Sequence, residues 1–396
     1  MDIISDISAL QFWRCPPPLA EAEVPAELAC APAGQGGAGI DPGLLSPRAN
    51  ARHADRLVAG RILTDLKGLE LPMRMMVDGG SLDRTRGAVQ AMRRPSWVTE
   101  QDIVPLGGGL AILTPAATLG RLASSLPLSA LLILAFEMLG IYAAHHETPL
   151  TRLVMNELLR TGNLSREAMA ARPDRIFAFR DAQGRPEPMV GRGGKPIPWE
   201  PCFDRFGRPT GSWKRPPLLT CEELSMQANR MRGARGGAAM REVAALAQAG
   251  SASWLETRCL LLTCLGTWKG GEGWPWPVLN QRIDFGPELR MLSGQGFCVA
   301  DQLWEGRASI LEVNGEANHA DSLGFKVASN RTPALEHLGY RVCEITYDQL
   351  ANLEKYDIVI AGIAKRLDLP LQRRTPAFLK RRDRLHRELF ATFRDL

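Results

Sequence analysis

"FCVADQLWEGRASILEVNGEANH", residues 297–319, decides how the second half of this chain is read. Two apolar runs, 297–304 and 308–314, flank a short polar stretch, and each carries one carboxylate near its middle, Asp301 and Glu312. Runs of this length, rich in β-branched residues, predict strands. Glu305-Gly306-Arg307-Ala308 predicts a two-residue hairpin of type II′, with Gly306 at the first turn position. In that register Asp301 stands directly opposite Glu312, and Asn314 lies two residues further along the same face.

Like charges opposed across a ladder destabilise a sheet, so the pair needs a cation or a shared proton. A divalent metal is the economical answer, because Mg²⁺ is commonly held by one or two carboxylates together with water and phosphate oxygens. Such a site activates water and stabilises a phosphoryl transition state. The competing reading is a register one residue off, which turns one of the acids to solvent. A third acid, Glu256, opens the helical run "SASWLETRCLLLTCL" (251–265) and could join the pair from a neighbouring helix. Ser253-x-x-Glu256 is also a capping-box spacing, and the two uses compete for one carboxylate.

The order of a helix with Glu256, a strand with Asp301, a strand with Glu312 and Asn314, a helix and a strand resembles the PD-(D/E)XK nuclease superfamily. Within it the chain is most similar to the Vsr-like endonuclease-related branch. The second strand of that branch commonly reads Glu-hydrophobic-Asp-Gly followed by a His; here it reads Glu312-Val313-Asn314-Gly315, with His319 after it. "NRTPALEHLGYRVCEITYDQL" (330–350) is similar to the branch's helix and strand through Arg331, Leu335, Gly339, Tyr340 and Val342. "SWLETRCLLLTCLG" and "PWPVLNQRID" resemble its lead-in.

The likeness covers roughly 220–370. It implies an α/β chain with a restriction-endonuclease-like mixed sheet flanked by helices, preceded by a smaller α/β or α+β domain. It implies Mg²⁺ or Mn²⁺, one or two ions, on Asp301 and Glu312. The implied catalytic set is Asp301, Glu312, Glu256, Asn314 and His319. DNA is the implied partner and substrate, with Arg331, Arg341, Lys380, Arg381 and Arg382 on its backbone; Arg331 has the further option of capping a neighbouring acid. Two departures support an alternative. Asn314 stands where the superfamily has lysine, and "VASNR" (327–331) lacks the Asp often found before the helix Arg. A weakened or inactive nuclease-fold protein, acting as a DNA-binding or regulatory module, fits those changes. Upstream, "GGGLAILTP" and Glu137-x-x-Gly140 loosely resemble the C-terminal domain of abortive-infection antitoxins.

Composition sets the outer bounds. At 396 residues, two domains are expected, and a net charge of +5 permits a nucleic-acid partner without requiring one. Eight cysteines form no CxxC pair, which argues against a zinc finger and for reduced thiols in a cytoplasmic protein. No basic leader precedes an apolar run at the start, and no P-loop or dinucleotide fingerprint occurs. The apolar stretch 126–144 contains Pro127 and Glu137 and is expected to be a buried core helix rather than a membrane span.

Along the chain, residues 1–50 are expected to be an irregular lead-in, rich in Pro, Ala and Gly from 15 onward. Residues 51–170 form the small domain, in which Thr114-Pro115 starts a helix. Residues 171–219 form a turn-rich insert with Asp-x-x-Gly-Arg-Pro at Asp181 and Asp204. Residues 220–370 form the nuclease-like domain, with a glycine-rich break at 233–237 between helices. Residues 371–396 form a basic amphipathic helix, reached through a stretch with ten Lys or Arg against four acids from Lys365 onward.

Overall fold

The computed structural model describes residues 2–16, 19, 68–76, 89–107, 110–145, 147–163, 200–203, 209–315 and 331–391. The first residues do not form a lead-in. β1 (Asp2–Ile4) is the central strand of a five-stranded sheet, and α1 (Asp6–Arg14) follows it. The other strands are β2 (Met73–Met76), β3 (Val89–Met92), β4 (Ile103–Gly107) and β5 (Leu110–Leu113), in the order β3-β2-β1-β5-β4. Ile3 and Ile4 are fully buried, so hydrophobic burial fixes this strand despite its three residues.

α2 (Pro115–Leu122) begins as expected: the Thr114 hydroxyl accepts the Ala117 N–H, and Pro115 occupies the first turn, where no donor is needed. α3 (Leu128–Leu139) is the apolar run, and it is a core helix. Its Glu137 takes a bidentate bond from Arg14, at 2.9 and 2.7 Å, and a third from the Ala144 amide at 3.1 Å. Glu137 and Arg14 are both buried, which accounts for an acid in an otherwise apolar helix. Among the described residues no helix is long and apolar enough to cross a membrane.

β6 (Tyr142–Ala144), β7 (Glu200–Phe203) and β8 (Pro209–Lys214) make a three-stranded antiparallel sheet, with α4 (Pro149–Arg160) between β6 and β7 in sequence. Both expected turns of the insert, at Asp181 and Asp204, lie outside the described residues, although β7 and β8 pair on either side of the second. α5 (Cys221–Arg230) and α6 (Gly237–Leu246) flank the glycine-rich break.

The remaining chain builds a four-stranded sheet. α7 (Trp254–Cys264) precedes β9 (Val278–Asp284), α8 (Pro287–Ser293), β10 (Phe297–Trp304) and β11 (Ser309–Asn314). After α9, helical over 331–337, come β12 (Arg341–Thr346), α10 (Tyr347–Ala351), α11 (Leu353–Leu367) and α12 (Pro376–Phe390). The order is β12-β11-β10-β9; β9, β10 and β11 are antiparallel, and β11 runs parallel to β12. The molecule is therefore a mixed α/β protein. One face of this sheet, through Leu311, Val313 and Ile345, joins a core shared with α2, α3, α5, α6, α7, α11 and α12. On the other, Leu303, Ile310 and Val342 pack under Ala334 and Leu335 of α9.

The hairpin register is the expected one, with Trp304 opposite Ser309 and Gln302 opposite Leu311. The turn is different. Residues 305–307 form a 3₁₀ turn, Gly306 is not in the left-handed region, and Ala308 takes it instead (φ 46°). Type II′ is thus overturned: four loop residues preserve the register that a two-residue turn with one further pair would have given.

Arg382 was placed on DNA by the sequence, but its guanidinium is fully buried behind the sheet. It pairs with the equally buried Glu272, bonds Asp357 at 2.9 Å and donates to the Gly270 carbonyl at 2.8 Å. Arg374 adds a second cation to Glu272 at 2.9 Å. Arg382→Ala leaves buried charge short of its partner and should lower unfolding free energy by about 3–5 kcal/mol in a urea titration. Ala308→Gly removes a left-handed alanine and should raise stability by roughly 1 kcal/mol, visible as a higher thermal midpoint.

Candidate active site

Two acids and one guanidinium meet at β10 and β11, and a third acid, Glu256, is close enough to feel the charge of Asp301. Glu312 sits in the middle of β11 and is 7 % exposed. Its Oε2 accepts from Arg331 at 2.6 Å, and the same Arg331 nitrogen also donates to the Val299 carbonyl of β10. Its Oε1 is buried and meets no donor. The Asp301 and Glu312 carboxyls influence each other's ionisation. Asp301 Oδ2 accepts the Val313 N–H at 2.7 Å, so the side chain stands in for a ladder partner beyond the Gln302–Leu311 pair.

Glu256 approaches from α7. The Ser253 hydroxyl caps that helix by accepting the Glu256 N–H at 3.1 Å. The Glu256 carboxylate does not close the box on the cap's own amide; Oε2 takes the Ala252 N–H at 3.0 Å and the Asn280 side-chain amide at 2.8 Å. Capping and membership of the cluster therefore coexist, because the cap uses the backbone of Glu256 and its carboxylate is anchored one residue earlier. Asn280, in β9, adopts the left-handed conformation (φ 47°) that Asn tolerates better than most residues, and also bonds the Gly250 carbonyl.

The electrostatics follow from this crowding. Burial, and after it the Asp301 charge, push Glu312 up to about 8, against the pull of Arg331. Burial and then Asp301 push Glu256 up to about 7, with Asn280 and the Ala252 amide opposing. Asp301 is raised by burial and held back by the Val313 amide, Arg331 and Glu312. The cluster holds a proton that isolated carboxylates would have released near neutrality.

No family model matches the chain, and neither a curated protein nor a solved structure does. The site therefore rests on its own geometry.

The other expected residues fall as follows. Asn314 lies in β11 on the Glu312 face, but its amide donates to Glu344 of β12 at 3.0 Å rather than to the acid pair. His319 lies outside the described residues. Arg331 takes its alternative role, capping Glu312 instead of projecting to a phosphate. Arg341 is spent on the Arg307 and Arg366 carbonyls, at the start of β12 three residues before Glu344. Arg381 donates to the Thr267 carbonyl. Lys380, the remaining expected phosphate contact on α12, is exposed and has no ion-pair partner among the described residues; elsewhere on the helix Arg384 and Arg387 pair with Glu388 and Asp383. The basic helix is largely neutralised by its own surroundings.

Two site residues escaped the sequence reading. Asn280 gave no signal beyond an Asn inside a strand. Glu344 pairs in register with Glu312, and its charge adds to the raising of Glu312; it was one acid of a strand whose parallel register the sequence does not print. Among the described residues no group of three or more metal-binding side chains is gathered closely enough to hold an ion by protein ligands alone.

The raised Glu312 makes stability pH-dependent. The folded form keeps its proton above the ordinary value of 4.5, so stability is greatest below that value and declines as pH rises towards about 8. Thermal midpoints between pH 5 and 8 should fall more steeply in the native chain than in Glu312→Gln, which carries no titrating group there.

Proposed function

We propose that this protein hydrolyses phosphodiester bonds in DNA, using a divalent ion, Mg²⁺ or Mn²⁺, held by Asp301 and Glu312. The observation that carries this reading is the buried Glu312 Oε1, which has no donor and belongs to an acid pair on adjacent strands. Two hard carboxylate oxygens are what Mg²⁺ accepts, with water completing its shell, so the donor set fits. Support also comes from the order of elements: a helix with Glu256, a strand with Asp301, an antiparallel strand with Glu312, a helix and a parallel strand, the order on which the nuclease resemblance rests.

When bound, the ion would supply Lewis acidity and a more acidic water. The chain's own residues do the rest. Arg331 holds Glu312 by one oxygen and leaves the other for the cluster. The Val313 amide fixes Asp301, and Asn280 with the Ala252 amide fixes Glu256, whose elevated proton affinity suits a group that exchanges a proton near neutral pH. Asn314 and Thr332 orient Glu344 at the exposed margin.

A second reading, a weakened or inactive relative that binds DNA as a regulatory module, has Arg331 as its observation. A guanidinium already neutralises Glu312, so the cluster keeps some compensation without metal. Titrating Mn²⁺ calorimetrically, followed by plasmid cleavage, separates the two. On the nuclease reading, Mn²⁺ binds the native chain, and both binding and cutting fall to background in Asp301→Asn and Glu312→Gln while the fold persists. Salt-sensitive DNA binding indifferent to EDTA, without cutting, would establish the second reading instead.

A further inference from the structure

A second polar cavity, of about 300 Å³, lies on the five-stranded sheet and uses none of the residues above. Three guanidinium groups from three elements line it: Arg74 of β2, Arg121 in the last turn of α2, and Arg235 between α5 and α6. Asp6, at the start of α1, is the one acid among its lining residues, which leaves a surplus of two positive charges. Asp6 is nearly buried and engages Arg74 at 2.9 Å and Arg121 at 3.5 Å.

The cations are underused. Arg121 Nε is buried without a hydrogen-bond acceptor; one terminal nitrogen bonds the Ser124 hydroxyl at 3.2 Å, and the other meets only the Met92 sulfur at 3.6 Å, a weak acceptor. Arg235 is exposed and has no ion-pair partner among the described residues. The frame around them is fixed. Gly236, in the left-handed region (φ 85°), packs so closely on the backbone of Ala123 and Ser124 that a Cβ there would come within 2.9 Å of it. That contact holds Arg235 at the cavity mouth beside Arg121. Arg121 and the exposed Arg235 therefore have donor capacity to spare for an acceptor arriving from outside.

We infer that this cavity binds a phosphomonoester dianion, held by Arg121 and Arg235 with Arg74 at its side. Two negative charges match the surplus, and planar guanidinium donors suit phosphate oxygens. The volume is at the low end for small-ligand pockets, roughly 300–1,000 Å³, so a phosphate with a sugar-sized group is accommodated. The phosphate could come from a free phosphorylated metabolite or from the 5′ end of a nucleic acid; both present the same group.

The test is calorimetric titration of inorganic phosphate into the full chain in EDTA, which keeps divalent ions off the acid cluster. The expected result is one saturable site, weakened roughly tenfold or more by Arg235→Ala and unchanged by Arg232→Ala, an exposed neighbour that does not line the cavity. Competition by a 5′-phosphorylated oligonucleotide but not its 5′-hydroxyl form would assign the site to nucleic-acid ends. Competition by ribose 5-phosphate alone would assign it to free metabolites. No saturable phosphate binding, or equal weakening by both variants, overturns the inference. None of these outcomes depends on Asp301 or Glu312, so failure here is separable from failure of the nuclease reading.

Discussion

The C-terminal sheet is organised around a conflict: Glu312 is a carboxylate in the middle of a buried strand, beside a second carboxylate on the next. Taking an unpaired carboxylate out of water costs several kcal/mol, and a like charge beside it adds to that. The structure spreads the cost over several partners. Arg331 neutralises one oxygen, the Val313 amide holds Asp301, and protons are retained where burial favours the neutral form. Each partner comes from a separate element, so α9, β10 and β11 must be correctly assembled for the cluster to be tolerable. The acids thereby specify the local arrangement as well as offering chemistry to it.

A comparable logic governs two of the other buried acids. Glu137 is compensated by Arg14 across 123 residues, and Glu272 by Arg382 and Arg374 from the C-terminal segment. In each case the acid's partner lies far away in sequence. The difference at Glu312 is that compensation is incomplete, with one oxygen left bare. That incompleteness separates a candidate site from a structural ion pair.

Much of the C-terminal sheet was legible because strand periodicity is local. The bounds of β10, the register of the hairpin and the pairing of acids on one face all follow from alternation around a short turn. The turn type was misread because Gly306 offered an obvious left-handed residue, whereas the chain places that conformation at Ala308 and uses a four-residue loop of equivalent register. The role of α12 was misread for a different reason. A basic run shows its charges in one dimension, but Arg382 faces inward to an acid more than a hundred positions earlier, and no periodicity announces that. Glu344 was hidden by the same limitation, since a parallel partner is joined through a long crossover rather than a turn.

The central position of β1 has a consequence for how this chain can be cut or joined. Ile3 pairs with Met76 on one side and Ala111 on the other, and the following helix delivers Arg14 to Glu137. Removing the first fifteen residues would therefore split a sheet through its middle and strand a buried carboxylate in a different layer. A split-protein division between this segment and the rest should consequently behave as a complementation pair, the short piece returning to an open slot as a strand and helix together. Its affinity would come from buried groups such as Ile3, Ile4, Leu10 and Arg14.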